Sequence, residues 1–115
     1  MPHDAQMLKG VLTLLLLRVL GEQDGYGYAI VTRLREAGFH DLAEGTVYPA
    51  LTRLEAAGHL GAYLVRSDAG PARKYYRITP AGLTELSSRE RSWRELLTAV
   101  GTVAGPDVTN EREVS

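Results

Sequence analysis

Between Ala5 and Leu20 the chain offers almost no polar face. Met7, Leu8, Val11, Leu12, Leu14, Leu15, Leu16, Leu17, Val19 and Leu20 surround the axis of any helix drawn through them. A helix that is apolar all round must be covered on several sides. Its densest run, Val11 to Leu20, spans ten residues with Arg18 inside it, whereas a membrane-spanning helix needs about 20 apolar residues. It also lacks the basic start and small-x-small cleavage site of a signal peptide. In a chain of 115 residues one core is too small to cover every side of such a helix. The expectation is therefore a soluble, cytoplasmic domain whose first helix packs partly against a second chain. The absence of cysteine excludes disulfides and fits a reducing compartment.

The stretch "AEGTVYPALTRLEAAGHL" is the hardest to place. Val47, Leu51 and Leu54 recur at helical spacing, yet Pro49 stands between them. Proline in a helix interior costs about 3 kcal/mol. The conflict disappears if Thr46 is the N-cap and the helix starts at Val47, because the first amide groups have no partner inside the helix. Gly58 then ends this third helix. Before it, "GEQDGYG" reads as a loop and "YAIVTRLREAG" as a second helix, with Ile30 and Leu34 inward and Gly38 as its stop. The GxG inside "GYGYAI" follows a helix instead of a strand, so it fails as a dinucleotide fingerprint. Its glycines are expected to supply a tight turn.

"HLGAYLVRSDAGPARKYYRIT" reads as a hairpin with strands near Ala62–Ser67 and Arg73–Thr79 around Gly70-Pro71. In the second strand Tyr76 and Ile78 share one face, and Arg73, Tyr75 and Arg77 the other. Lys74 has the inner parity but lies near the tip, where its long stem can reach out. Thr79-Pro80 is an N-cap followed by proline at the first helical position. The helix it opens carries Leu83, Leu86, Trp93, Leu97 and Val100 at alternating three- and four-residue steps, with Glu90 as one polar layer. That pattern is either a short coiled-coil seam or an ordinary amphipathic face. From Gly105 to Ser115 a polar tail is expected to be disordered.

Net charge is only −1. Its distribution is more informative: residues 45–78 carry +3, and the segments on either side carry −2 each. The basic excess coincides with the third helix and the hairpin. The order helix, helix, helix, hairpin, helix is that of a winged helix-turn-helix, mainly α with a small β-hairpin. The expected organisation is a winged helix-turn-helix over residues 1–79 and a C-terminal dimerisation helix over residues 80–104. Opposite its apolar stripe the third helix presents Pro49, Thr52, Arg53 and Ala56, with Tyr48 and Glu55 to one side. Short residues let a helix sink into a groove, while Arg53 and Thr52 offer polar groups to bases or phosphates. Neither enzyme nor metal chemistry stands out. His3, His40 and His59 lack ligand spacing, and no nucleophile–base pair, cofactor motif or internal repeat is visible.

The blocks "GYGYAI", "GTVYPALTRLEAAGHL" and "GPARKYYRITPAGL", together with "LKGVLTLLLLRVL", make the chain resemble the PadR family of bacterial transcriptional regulators from about Leu8 to Val100. The resemblance implies a homodimeric, sequence-specific DNA binder, usually a repressor, of the short subfamily with one C-terminal helix. It implies DNA contacts from Tyr48, Thr52 and Arg53 on the recognition helix and from Arg73 and Lys74 on the wing. Thr46, Pro49 and Tyr75 complete the expected DNA-facing set, and Tyr76 is assigned to wing packing. The fourth helix of one chain is expected to pack on the first helix of the other, through Leu8, Leu12, Leu15, Leu83, Leu86, Trp93, Leu97 and Val100. Some short members hold flat aromatic compounds between the two fourth helices, where Trp93 falls. An effector contact and a purely packing role are both open for Trp93, and packing is preferred. The alternatives to DNA-binding regulation are a winged-helix protein-interaction module and a small-molecule-binding dimer.

Overall fold

The computed structural model describes residues 4–105. The chain runs α1 (Ala5–Glu22), β1 (Gly25–Tyr26), α2 (Gly27–Glu36), α3 (Glu44–Ala56), β2 (Leu60–Val65), β3 (Arg73–Ile78) and α4 (Pro80–Ala104). Asp4 caps α1: its carboxylate accepts the amides of Gln6 at 2.9 Å and Met7 at 3.1 Å, two donors that the helix itself cannot satisfy. Leu12, Leu16, Leu17 and Leu20 of α1 meet Ile30, Val31 and Leu34 of α2 and Val47, Ala50, Leu51 and Leu54 of α3 in one core. Leu60, Tyr76 and Leu86 close it from the hairpin and α4. Among the described residues no helix is long and apolar enough to cross a membrane.

The third helix starts a turn earlier than the position of Thr46 suggested. Ala43 is the extended capping residue, with no side-chain bond, and its carbonyl accepts the amides of Thr46 and Val47. Thr46 is thus inside the helix, and Pro49 lies in its second turn. Glu44 at the first position complements the positive end of the helix dipole, which favours this earlier start. Pro49 has no N–H to offer the Gly45 carbonyl, four residues back. Both residues are exposed, so water can serve that carbonyl and the cost of the proline is reduced. The inner stripe of Val47, Leu51 and Leu54 is buried. Gly58, at φ +82°, turns the chain out of the helix in the left-handed region that glycine adopts freely.

The segment expected to be a loop around Gly25 contains a strand. β1 pairs antiparallel with β3, Gly25 opposite Tyr76 and Tyr26 opposite Tyr75, giving a three-stranded sheet in the order β1-β3-β2. Only Thr79 separates β3 from α4. It joins three elements: its hydroxyl donates to the Gly58 carbonyl at 2.6 Å and accepts the Gly82 amide at 3.0 Å, and its own amide donates to the His59 carbonyl at 3.1 Å. Pro80 follows as the first helical residue.

The single chain also corrects part of the expected dimer surface. Leu12 and Leu86 are 4% and 6% exposed, buried in the chain's own core. Leu86 lies against α1 beside Gly21, and Glu90 accepts from Arg18 of α1 at 3.3 Å. The first stretch of α4 therefore packs on the α1 of its own chain. Leu8 and Leu15 are half-buried, and Leu83, Trp93, Leu97 and Val100 are exposed. Of the tail, residues 106–115 lie outside the described residues.

Gly82 is the tightest point of the junction. A methyl group there would overlap the His59 carbonyl oxygen and lie 2.7 Å from Ile78 Cγ1. Alanine in a helix normally gains about 1 kcal/mol over glycine. Here Gly82→Ala should instead destabilise by roughly 1–3 kcal/mol, as overpacking does. Urea denaturation checks the sign, and a raised midpoint would contradict this account of the junction.

Candidate nucleic-acid interface

The outer face of α3 consists of exposed residues: Gly45, Thr46, Tyr48, Pro49, Thr52, Arg53 and Ala56. The alternation that buries Val47, Ala50, Leu51 and Leu54 leaves these outside. Thr52 donates its hydroxyl to the Tyr48 carbonyl at 3.1 Å, which leaves its oxygen lone pairs for an external donor such as a base amino group. Tyr48 donates to the Glu44 carboxylate at 3.0 Å. Partial burial and that acceptor raise its hydroxyl above the ordinary tyrosine value, so it stays a donor at neutral pH.

Tyr48 owes its place to a glycine. A methyl on Gly27 would overlap the Tyr48 ring. The first residue of α2 therefore forms the slot in which the ring on α3 lies. This contact gives the second glycine of "GYGYAI" a packing role beyond the turn its sequence indicates.

On the wing, the two neighbouring cations are held differently. Lys74, on the inner face as its parity indicated, donates to Glu55 of α3 at 2.9 Å and lies 5.3 Å from the Tyr76 ring centroid. The hydrogen bond to Glu55, with the charge beside it, raises the ammonium above the usual lysine value. Arg73, on the outer face, has its guanidinium carbon 4.7 Å from the Tyr26 ring centroid. Tyr75 is half-buried between two rings, 5.3 Å from Tyr26 and 5.8 Å from Tyr63. Tyr63 in turn donates to Asp24 at 2.5 Å, and this bond raises its hydroxyl above the usual value.

Among the described residues, Arg53, Arg66, Arg73 and Arg77 form no ion pair. Elsewhere among the described residues Arg18 pairs with Glu22 and Glu90, Arg33 with Glu22, and Arg89 with Glu85, while Lys9, Arg35, Arg91 and Arg94 form no ion pair either. The basic excess read from residues 45–78 is thus charge left uncompensated on α3 and the wing. The Glu44–Tyr48 and Glu55–Lys74 bonds, the Gly27 slot and the tyrosine row go beyond what the sequence pattern indicates. The first of these had a local signal, since Glu44 and Tyr48 are four residues apart on one helix face.

Far from this surface, Trp93, Leu97 and Val100 on α4 are 41%, 37% and 39% exposed. With Leu83 and Leu96, also exposed, they leave a stripe on α4 that the chain itself does not cover. Among the described residues no group of three or more His, Asp or Glu side chains is placed to hold a metal ion.

The model of the transcriptional regulator PadR-like family matches residues 16–88. A PadR-like transcriptional regulator from Bacillus cereus, known from its crystal structure, superposes with a TM-score of 0.78 at 38% identity, over 87% of this chain and 97% of that one. The transcriptional regulator Rv3488 of Mycobacterium tuberculosis is 36% identical over 81 residues, 70% of this chain and 74% of that protein. An uncharacterized protein of Lysinibacillus sphaericus is 34% identical over 94 residues, 80% of this chain and 86% of its own length. With a family match over well more than half its length and relatives alike in sequence and in fold, this winged-helix chain belongs to the PadR-like family of transcriptional regulators.

Proposed function

We propose that the chain is a homodimeric repressor that reads an imperfect palindrome in double-stranded DNA and is released by an effector. The observation that carries DNA reading is the set of arginines without ion pairs on α3 and the wing, Arg53, Arg66, Arg73 and Arg77, beside a helix with a short outer face. Arg53 and Thr52 are the primary readers of base edges, and Thr46 and Tyr48 the polar groups nearest the helix start, Tyr48 exchanging the Glu44 carboxylate for phosphate as its acceptor. Arg73 grips flanking phosphate. Lys74 is a second phosphate ligand that must exchange Glu55 for DNA. Pro49 sets position, and Tyr75 supports the wing from within its row of rings.

Dimerisation accounts for the stripe on α4. Leu83, Trp93, Leu97 and Val100, met by Leu8 and Leu15 of the partner's α1, would bury what a single chain leaves wet. The two recognition helices of such a dimer lie about 34 Å apart, in successive major grooves. Trp93 serves first as a packing anchor. A small flat aromatic effector stacked on it between the two α4 helices is the second reading, supported by its exposure in the single chain.

A gel-shift against the chain's own upstream DNA tests the reading; no shift at low salt with several promoter fragments would sink it. Arg53→Ala should weaken specific binding about tenfold or more, with the melting temperature nearly unchanged; a large fall in melting temperature would make Arg53 structural. Gly27→Ala should displace the Tyr48 ring and weaken DNA binding while the fold stays intact, because an exposed ring can move where backbone cannot. Unaltered binding by this variant would remove Tyr48 from the interface. Leu97→Asp should convert a dimer to a folded monomer in sedimentation equilibrium, and an unchanged mass would place the dimer contact elsewhere.

A further inference from the structure

We infer that Tyr26 is a positioning residue: its ring holds the Arg73 guanidinium in place for a DNA phosphate without neutralising it. The inference rests on the proposal that the wing contacts the DNA backbone, and it adds a residue from outside both the recognition helix and the hairpin.

The geometry is a closed circuit. Arg73 opens β3, with its guanidinium carbon 4.7 Å from the centroid of Tyr26. Tyr26 stands opposite Tyr75 in the sheet, and Tyr75 opposite Tyr63. The three rings follow one another at 5.3 Å and 5.8 Å, tilted 52° and 25°. The Tyr63 hydroxyl returns to Asp24, two residues before Tyr26. The ring under Arg73 is thus fixed by its strand pairing, by its neighbour ring and, through Tyr63, by a bond to its own segment.

Two further observations point to the ring as the reason for this residue. Tyr26 is the capping residue of α2, at φ −93° and ψ 163°, and it makes no side-chain capping bond. Serine, threonine, aspartate or asparagine would serve the helix better there, so capping does not account for tyrosine. The other wing cation supplies the contrast. Lys74 is held by a carboxylate, which cancels its charge and occupies a donor. An aromatic face attracts a guanidinium through its quadrupole and forms no ion pair with it. Arg73 keeps its full positive charge, and its rotamer freedom is already restricted before DNA arrives. That lowers the ordering cost of a phosphate contact.

The test is a double-mutant cycle on the full-length protein. DNA affinity is measured at several salt concentrations on a site selected from a random pool, with melting temperature alongside. Arg73→Ala should reduce the dependence of log K on log salt by about one. Tyr26→Leu should weaken binding about two- to fivefold, Tyr26→Phe should bind like the wild type, and Tyr26→Leu should add nothing in the Arg73→Ala background. An equal loss in both backgrounds, or failure of phenylalanine to restore binding, would overturn the assignment. Full affinity of Tyr26→Leu beside a weakened Arg73→Ala would overturn it while leaving the wing contact standing. An unaffected Arg73→Ala would remove the wing contact itself, and the inference with it. Should Tyr26→Leu not fold, the wild-type NMR spectrum decides. The Arg73 side-chain protons should be shifted upfield by the Tyr26 ring current, and random-coil positions would refute the stacking.

Discussion

Burial of Leu16, Leu17 and Leu20 governs where the other elements can lie, because α1 is the surface on which α2, α3, β3 and α4 all pack. Each of these neighbours offers one apolar stripe or face, and α1 accepts them on different sides because it is apolar all round. A fully buried leucine is worth about 1.5–3 kcal/mol relative to exposure, so three of them outweigh the local preferences of the short elements they hold. Among the elements so held is α3, which must turn Val47, Leu51 and Leu54 inward and therefore Thr52 and Arg53 outward. The proposed DNA-facing surface is in this sense the complement of the core.

What could be read from the sequence was whatever depends on neighbours in the chain. The period of Val47, Leu51 and Leu54, the parity of Tyr76 against Tyr75, and the cap at Thr79-Pro80 are local, and each lies in the structure as its spacing indicates. What escaped depends on contacts across the fold. β1 is two residues long, too short for any alternation to show, and it exists because β3 offers an edge. The start of α3 is displaced from Thr46 to Glu44, since a good capping residue signals a possible start and does not impose it. Lys74 has the inner parity its position requires, but its partner Glu55 becomes visible only once α3 and the wing are set side by side. The roles of Tyr26 and Tyr63 were likewise invisible, because sheet register alone brings residues so distant in sequence together.

The segment Gly25-Tyr26-Gly27 shows how much one short stretch can carry. Gly25 takes its place in the sheet opposite Tyr76. Tyr26 lies beneath Arg73, and Gly27 leaves room for Tyr48. The first contact reaches the wing and the second reaches α3. The two parts of the proposed DNA-facing surface thus share a support that belongs to neither.

The bond network at Thr79 has a mechanical consequence. With a single residue between β3 and α4, and that residue tied to Gly58, His59 and Gly82, the long helix is clamped to the wing at one end. It is held a second time where Leu86 and Glu90 rest on α1, so its free arm is the stretch from Arg91 to Ala104, roughly 21 Å at 1.5 Å per residue. Over that length a tilt of roughly 5° sweeps the far end through ~2 Å. A small displacement near Val100 is therefore met first by α1 at Glu90 and Leu86 and reaches the base of the wing only through that second support.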